Sequence, residues 1–334
     1  MKKSIITLLI MAFSAIQSIA QIDLHSHAIT KDYIDYIKAN GAEMDEGFPI
    51  PAWDVEKHLA FMDEAGIQTS VLTMPAPQPY FGDAEASAAV CRRFNEECAA
   101  LKVRYSERFM FCAALPLPDV DAAIREAVYA LDTLKADGIK LATNAYGQYL
   151  GGPELDTLFF VLNERGAVVI LHPHRPEPIN RQVMQQTPLA MQEYLSETTR
   201  AVANMISRNV LARYPQVKVV VPHCGAYLPL AVPRMKSLTA VMQANKMVGE
   251  IDWQANLNSL YYDLAGAHSP EVIRMMLTIT TPDHLLYGSD YPYVAPQVLV
   301  NGLQRMQQYL TDEPDLEPYK EMILYKNALK LFHK

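Results

Sequence analysis

The amino-acid sequence predicts an α/β chain folded as a single (β/α)8 TIM barrel. Three observations carry this. Eight short β-branched runs alternate with longer helix-period segments along the chain. The chain lacks both Gly-x-Gly-x-x-Gly and the Gly-x-x-x-x-Gly-Lys-Ser/Thr loop, and glycine is scarce at 14 of 334 residues, against an open doubly wound nucleotide-binding sheet. Chemically able side chains gather where the runs end, the face on which barrels place their active sites.

Before the first run lies Met1 to Ala20, which has the form of an export signal. Lys2 and Lys3 are followed by an apolar stretch from Ile5 to Ile16, and Ser18-Ile19-Ala20 reads as a small-residue cleavage site. The stretch is short for a membrane span, which takes about 20 apolar residues. The expectation is therefore an exported protein, periplasmic or secreted, whose residues 21–334 form one domain with no membrane association after cleavage. Cys91, Cys98, Cys112 and Cys224 are expected as buried free thiols, since a disulfide scaffold needs a denser cysteine pattern. A 50% hydrophobic content excludes a disordered chain, and a formal net charge of −8 argues against nucleic-acid or anionic-membrane partners.

The expected strands are Ile22–His25, Thr69–Met74, Phe109–Ala114, Gly138–Leu141, Val168–His172, Val217–Pro222, Leu260–Asp263 and His284–Tyr287. Helical patterns separate them at Asp54–Ala65, Ala84–Tyr105, Asp119–Lys135, Pro153–Arg165, Pro188–Arg213, Pro229–Ala244, Pro270–Leu277 and Ala295–Tyr309, with a last helix over Leu316–Phe332. Several start with Asp or with a proline at the first helical position, as helix entries do. The segment Asn40–Pro51 is expected as a loop over the barrel mouth.

Five of the nine histidines fall at strand ends. His25 and His27 follow the first strand with i, i+2 spacing, so they project together and supply half of a metal site. His172 and His174 end the fifth strand, His223 follows the sixth, and Asp290 follows the eighth within Gly288-Ser289-Asp290. A lone His-x-His, or an Asp after Gly-Ser, is weak evidence. Their joint occurrence at four strand ends of one barrel points to a metal centre. Of the other histidines, His58 is expected to face solvent and His284 to sit on the opposite, stability face. His268 is expected at a helix entry and His333 in the tail.

The chain resembles the amidohydrolase superfamily, and within it the aminocarboxymuconate-semialdehyde decarboxylase-like branch that includes 6-methylsalicylate and γ-resorcylate decarboxylases. The resemblance rests on Ile22-Asp23-Leu24-His25-Ser26-His27, on the stretch Leu115 to Asp121, and on Asn144 with Tyr149-Leu150-Gly151. It continues through Glu197-Thr198-Thr199-Arg200, His223-Cys224-Gly225-Ala226 and Tyr287 to Pro292. It implies a metal-dependent hydrolase-type barrel in which His25, His27, His172 and Asp290 hold one divalent metal and His223 is the acid/base residue. Such a set suits Zn2+, with Mn2+ the alternative. Lys140, on the fourth strand, stands near the place where binuclear relatives carry a bridging carboxylated lysine, a device this branch does without. A homodimer is a further implication.

Two chemistries use these residues. One is non-oxidative decarboxylation of a small aromatic or muconate-type carboxylic acid, with His223 delivering a proton to the carbon that bears the carboxylate. The other is hydrolysis of a lactone, amide or ester by metal-activated water, with Asp290 or His223 taking the proton. The narrower resemblance favours the first. An anionic substrate asks for a further cation, for which Arg175 and Arg200 are the candidates, each with a surface ion pair as the alternative. His174 is either a pocket residue contacting substrate or a solvated loop residue.

Overall fold

The computed structural model describes residues 21–333 except Glu43, Arg181, Met184, Gln185 and His268. The expected leader and His268 lie outside the described residues. Eight parallel strands pair in sequence order: β1 (Gln21–His27), β2 (Ile67–Thr73), β3 (Phe109–Ala114), β4 (Gly138–Ala142), β5 (Val168–His172), β6 (Lys218–Val221), β7 (Leu260–Asp263) and β8 (Leu285–Leu286). The first and last edges meet. Leu24 N–H donates to Tyr287 O at 3.0 Å, His27 N–H donates to Tyr291 O at 2.8 Å, and Ser26 bridges Tyr291 in parallel. This closes the barrel.

Around it stand α1 (Lys31–Ala39), α2 (Val55–Ala65), α3 (Ala84–Arg104), α4 (Val120–Asp132), α5 (Asp156–Glu164), α6 (Glu193–Ser207), α7 (Val210–Arg213), α8 (Leu228–Ala244), α9 (Trp253–Asn258), α10 (Pro270–Met276), α11 (Pro296–Asp312) and α12 (Asn327–Leu331). Thr30, Asp54, Asp83, Asp119 and Asp252 cap α1, α2, α3, α4 and α9, each accepting a backbone N–H with its side chain. Among the described residues no helix is long and apolar enough to cross a membrane. All four cysteines are buried free thiols.

Two apolar clusters divide the core. The larger lies between sheet and helices. The smaller fills the lower barrel with Ile22, Leu24, Val71, Met110, Cys112, Val168, Ile170, Val220 and Leu286, plugged by Ala328 and Leu331. The pairing of β1 with β2 shifts register between Asp23 and Ser26. A shift of this kind resets which side chains face inward. Ile22 and Leu24 thus join the lower interior, while His25 and His27 enter the upper interior.

The segment expected as one helix from Pro188 to Arg213 is broken. A single turn at Leu189–Met191 precedes α6, and Asn209, at φ 53°, separates α6 from α7. The Asn209 amide accounts for the second break. Its nitrogen donates to Glu250 O at 2.6 Å, and its oxygen accepts from Asp252 N–H at 2.8 Å. The last helix is likewise interrupted, by a wide turn at Met322–Lys326. Helices α1 and α9 were not anticipated. The mouth loop contains a two-stranded hairpin, Met44–Asp45 against Phe48–Pro49, called the lid hairpin below.

His58 corrects its expectation, being fully buried. Its ring packs 4.5 Å from Tyr291 and 5.2 Å from Phe109, and its Nδ1 accepts from Trp53 Nε1–H at 3.1 Å. Burial lowers its pKa to about 3, so it stays neutral. His58, Phe61 and Met62 share the i, i+3, i+4 stripe that α2 turns to the sheet. His284 sits at the foot of β8 as expected, stacked on Tyr261 with ring centroids 4.4 Å apart.

Candidate active site

The upper barrel gathers His25, His27, His172, His223 and Asp290. Ring centroids lie 5.1 Å apart for His25 and His27, 4.9 Å for His27 and His172, and 5.0 Å for His25 and His223. The ligating atoms of His25, His27 and His172 fall within 4.8 Å of one another, as do those of His25, His223 and Asp290. Asp290 Oδ1 is 3.5 Å from His25 Nε2 and 3.3 Å from His27 Nε2, and its Oδ2 is 3.8 Å from His223 Nε2.

The hydrogen bonds behind these rings fix their tautomers. His25 Nδ1 lies 3.0 Å from Asp263 Oδ2, and His172 Nδ1 lies 2.8 Å from Pro173 O. Each acceptor oxygen requires an N–H on that nitrogen. His27 Nδ1 is 2.9 Å from Thr73 Oγ1, whose own proton goes to Ser26 O at 2.9 Å, so here too Nδ1 carries the hydrogen. Three Nε2 lone pairs therefore converge with a carboxylate oxygen. His25 Nε2 is buried and makes no hydrogen bond among the described residues. This donor set fits a divalent cation, held by imidazoles whose far nitrogens are braced by oxygen acceptors.

The electrostatics agree. Burial lowers the pKa of His27 to about 4 and takes His172 well below its ordinary value, keeping both neutral as ligands must be. Burial also acts to lower His25, but the facing Asp263 and Asp290 carboxylates outweigh it and raise the group to about 9, so a cation bound here would displace the proton from His25 Nε2. Burial would raise Asp290, yet His25 and the neighbouring imidazoles hold it well below the usual carboxylate range. Negative charge from two carboxylates is thus focused on one spot.

Backbone geometry pays attention to the same residues. His223 has φ 54° and Asp290 φ 67°, left-handed values that non-glycine residues adopt sparingly and that cluster at functional sites. His223 N–H is anchored on Asp263 Oδ1 at 3.1 Å, and Asp290 N–H on His25 O at 2.8 Å. Gly288 permits the close approach of β8 to β1, because a Cβ there would meet the His25 Cβ at 2.7 Å. Beneath, Asp23 accepts from Ser289 N–H at 2.9 Å and from Ser289 Oγ–H at 2.6 Å, and burial raises its pKa to about 7.

A cavity of about 510 Å3 opens from this cluster, with His172, His223 and Asp290 on its floor. Its walls are Phe48, Tyr194, Leu195, Ala265, Val272, Met275 and Tyr293, with neither arginine nor lysine among the described lining residues. Arg200 lies outside it. More than half exposed, it pairs with Glu197 and reaches Tyr149 Oη at 3.1 Å. Arg175 also lies off the lining, with Nε 3.6 Å from Glu177. His174 is buried and faces Glu46 rather than the cavity. Lys140 is buried in β4, close enough for its charge to act on His27 and His172.

Sequence reasoning missed Asp263, the residue that holds both His25 and the His223 backbone. Its place as the last residue of a strand was the available signal. Thr73 stands likewise at the end of β2.

The amidohydrolase family model matches residues 22–334. The chain belongs to the amidohydrolase family. Among curated members, this amidohydrolase is 33% identical over 325 residues to "Decarboxylase yanB" of Aspergillus niger, covering 93% of this chain and 87% of the relative. It is 28% identical to the 6-methylsalicylic acid decarboxylase of Penicillium expansum, covering 94% and 96%. Among solved structures, an amidohydrolase II superposes with a TM-score of 0.85 at 28% identity, covering 94% of this chain and all of the other. The 5-carboxyvanillate decarboxylase of Novosphingobium aromaticivorans, solved with manganese, shares the fold at TM-score 0.83 and 20% identity, covering 94% and 96%.

Proposed function

We propose that this amidohydrolase is a metal-dependent non-oxidative decarboxylase of a small hydroxybenzoate-type acid carrying an apolar ring substituent. The observation that carries the reading is the cavity. Its floor is the His172, His223 and Asp290 cluster, and its walls are apolar and aromatic, with no arginine or lysine among the described lining residues. A dianionic muconate would leave its second carboxylate without a partner there, at a desolvation cost of several kcal/mol. A planar ring with one carboxylate and a neighbouring hydroxyl turns its charge to the floor and its apolar edge to the walls. The decarboxylases among its relatives support the same choice over hydrolysis.

His25, His27, His172 and Asp290 would hold one divalent metal, Zn2+ or Mn2+, which when bound supplies Lewis-acid binding of the carboxylate and hydroxyl oxygens. The mixed nitrogen and oxygen donor set accepts either ion. Phe48, Tyr194 and Tyr293 flank the ring and limit its rotation. His223 and Asp290 lie together on the floor, with Nε2 and Oδ2 3.8 Å apart, so a proton carried there would face the ring carbon that bears the carboxylate. Protonation of that carbon gives a dearomatised ring. The carbon–carboxylate bond then breaks, its electron pair restores the aromatic ring, and CO2 leaves.

Arg175 and Arg200 have no part in this reading. The export signal read in residues 1–20 would put the reaction outside the cytoplasm. The test is CO2 release by the purified protein, with its metal content determined, from salicylates bearing 6-alkyl substituents. Turnover of these acids is expected. Turnover of lactones or esters with no CO2 from any hydroxybenzoate would overturn the proposal in favour of hydrolysis.

A further inference from the structure

The lid hairpin is held to the barrel by a buried charge. Glu46, at its tip, has a side chain only 4% exposed and lies 2.7 Å from His174 Nδ1, itself 10% exposed. Burial acts to raise the Glu46 carboxyl, but His174, Tyr194 and the Arg175 backbone beside it outweigh burial and hold it below its ordinary value. The Glu46 carbonyl accepts from Leu189 N–H at 3.1 Å. Glu46 and Gly47 both take left-handed backbone, at φ 46° and 100°, and a Cβ on Gly47 would press on Pro188 Cα at 3.2 Å. The tip is therefore wedged between the loop after β5 and the segment leading into α6.

On the receiving side, His174 N–H donates to Thr143 Oγ1 at 3.1 Å. The Arg175 carbonyl accepts from the Asn144 amide at 2.9 Å, and that amide also donates to Glu197 at 3.1 Å. Two residues beyond Glu46, Phe48 lines the cavity, with its ring centroid 6.1 Å from that of Tyr293.

We infer that Glu46 and His174 form a latch that seats the lid hairpin, making Glu46 a positioning residue and Phe48 the residue that sets the size of ring substituent accepted. The inference rests on the decarboxylase reading for the identity of the substrate, but the latch itself does not. A carboxylate buried this deeply is stable only while paired, so the hairpin is held shut as long as His174 faces it. His174 then acts through the lid and touches no reacting atom, so it is neither the substrate contact nor the solvated loop residue that its sequence position suggested.

The experiment uses the full chain loaded with Zn2+ or Mn2+ and two variants, Glu46→Gln and Phe48→Ala. In Glu46→Gln the KM for 6-methylsalicylate is expected to rise about ten-fold while kcat changes less than about three-fold, the signature of lost binding rather than lost chemistry. Metal content stays at the wild-type level, and amide hydrogen exchange over residues 46–50 quickens. Unchanged KM together with unchanged exchange would overturn the latch. Phe48→Ala is expected to shift kcat/KM about ten-fold toward acids with a bulkier 6-substituent. An equal change across the substrate series would overturn the role of Phe48, and this arm decides if Glu46→Gln does not fold. Should the wild type release no CO2 from any hydroxybenzoate, the decarboxylase reading fails, while the exchange arm still decides the latch.

Discussion

The two ends of the barrel are made by the same eight strands and do opposite work. At the lower end Ile22, Leu24, Met110, Ile170 and Val220 fill the interior with hydrocarbon, and Ala328 and Leu331 close it from below. At the upper end the same strands finish in His25, His27, Thr73, His172 and Asp263, polar and almost fully buried. Burying so many polar groups costs stability unless each is paired, and the lower end carries that load. Strand starts provide cohesion and strand ends provide chemistry, within a few residues of each other.

The comparison breaks most sharply at the upper end. His172→Ala should lose the metal and at least about a thousand-fold in kcat/KM, checked by metal analysis and steady-state kinetics, while far-UV circular dichroism stays native. Met110→Ala tests the lower end. Removing this buried side chain should cost about 3 kcal/mol in urea unfolding and leave turnover per folded molecule unchanged. Asp263→Asn sits between them, weakening the brace on His25 without opening a hole. A loss of about ten- to a hundred-fold in metal affinity is expected by metal-buffer titration.

The smallest effect is a pH dependence. His58 has its folded pKa lowered by burial to about 3, below the ordinary value near 6.5, so the unfolded chain binds the proton more readily. Its contribution is fully present above pH 6.5 and fades as pH falls towards 3. Between pH 6.5 and 5.5 that amounts to about 1 kcal/mol, which His58→Leu should abolish in paired urea titrations.

Much of this division was legible in the sequence. β3, β5 and β7 begin and end where their β-branched or aromatic runs do, because buried parallel strands are continuous apolar runs. The histidine cluster was legible because strand ends in a barrel converge by construction. Other features depend on contacts between distant segments. Glu46 has no local mark, and its partner lies beyond four further strands. The break at Asn209 comes from the residues at 250 and 252, not from its own helix. Arg200 sat in a family motif, yet its guanidinium serves a surface network. His58 was misread as solvated even though its helix stripe, with Phe61 and Met62, pointed inward.

The barrel has a seam. It runs between β1 and the segment after β8, where closure depends on a few main-chain hydrogen bonds and the Ser26–Tyr291 bridge. His25 and His27 stand on one side of that seam and Asp290 on the other. An ion held by all three, as proposed, would rivet the first and last edges of the sheet together. Loading the protein with metal would then also tighten a joint, and amide exchange at Leu24 and His27 should slow on metal binding more than exchange in β3 or β4.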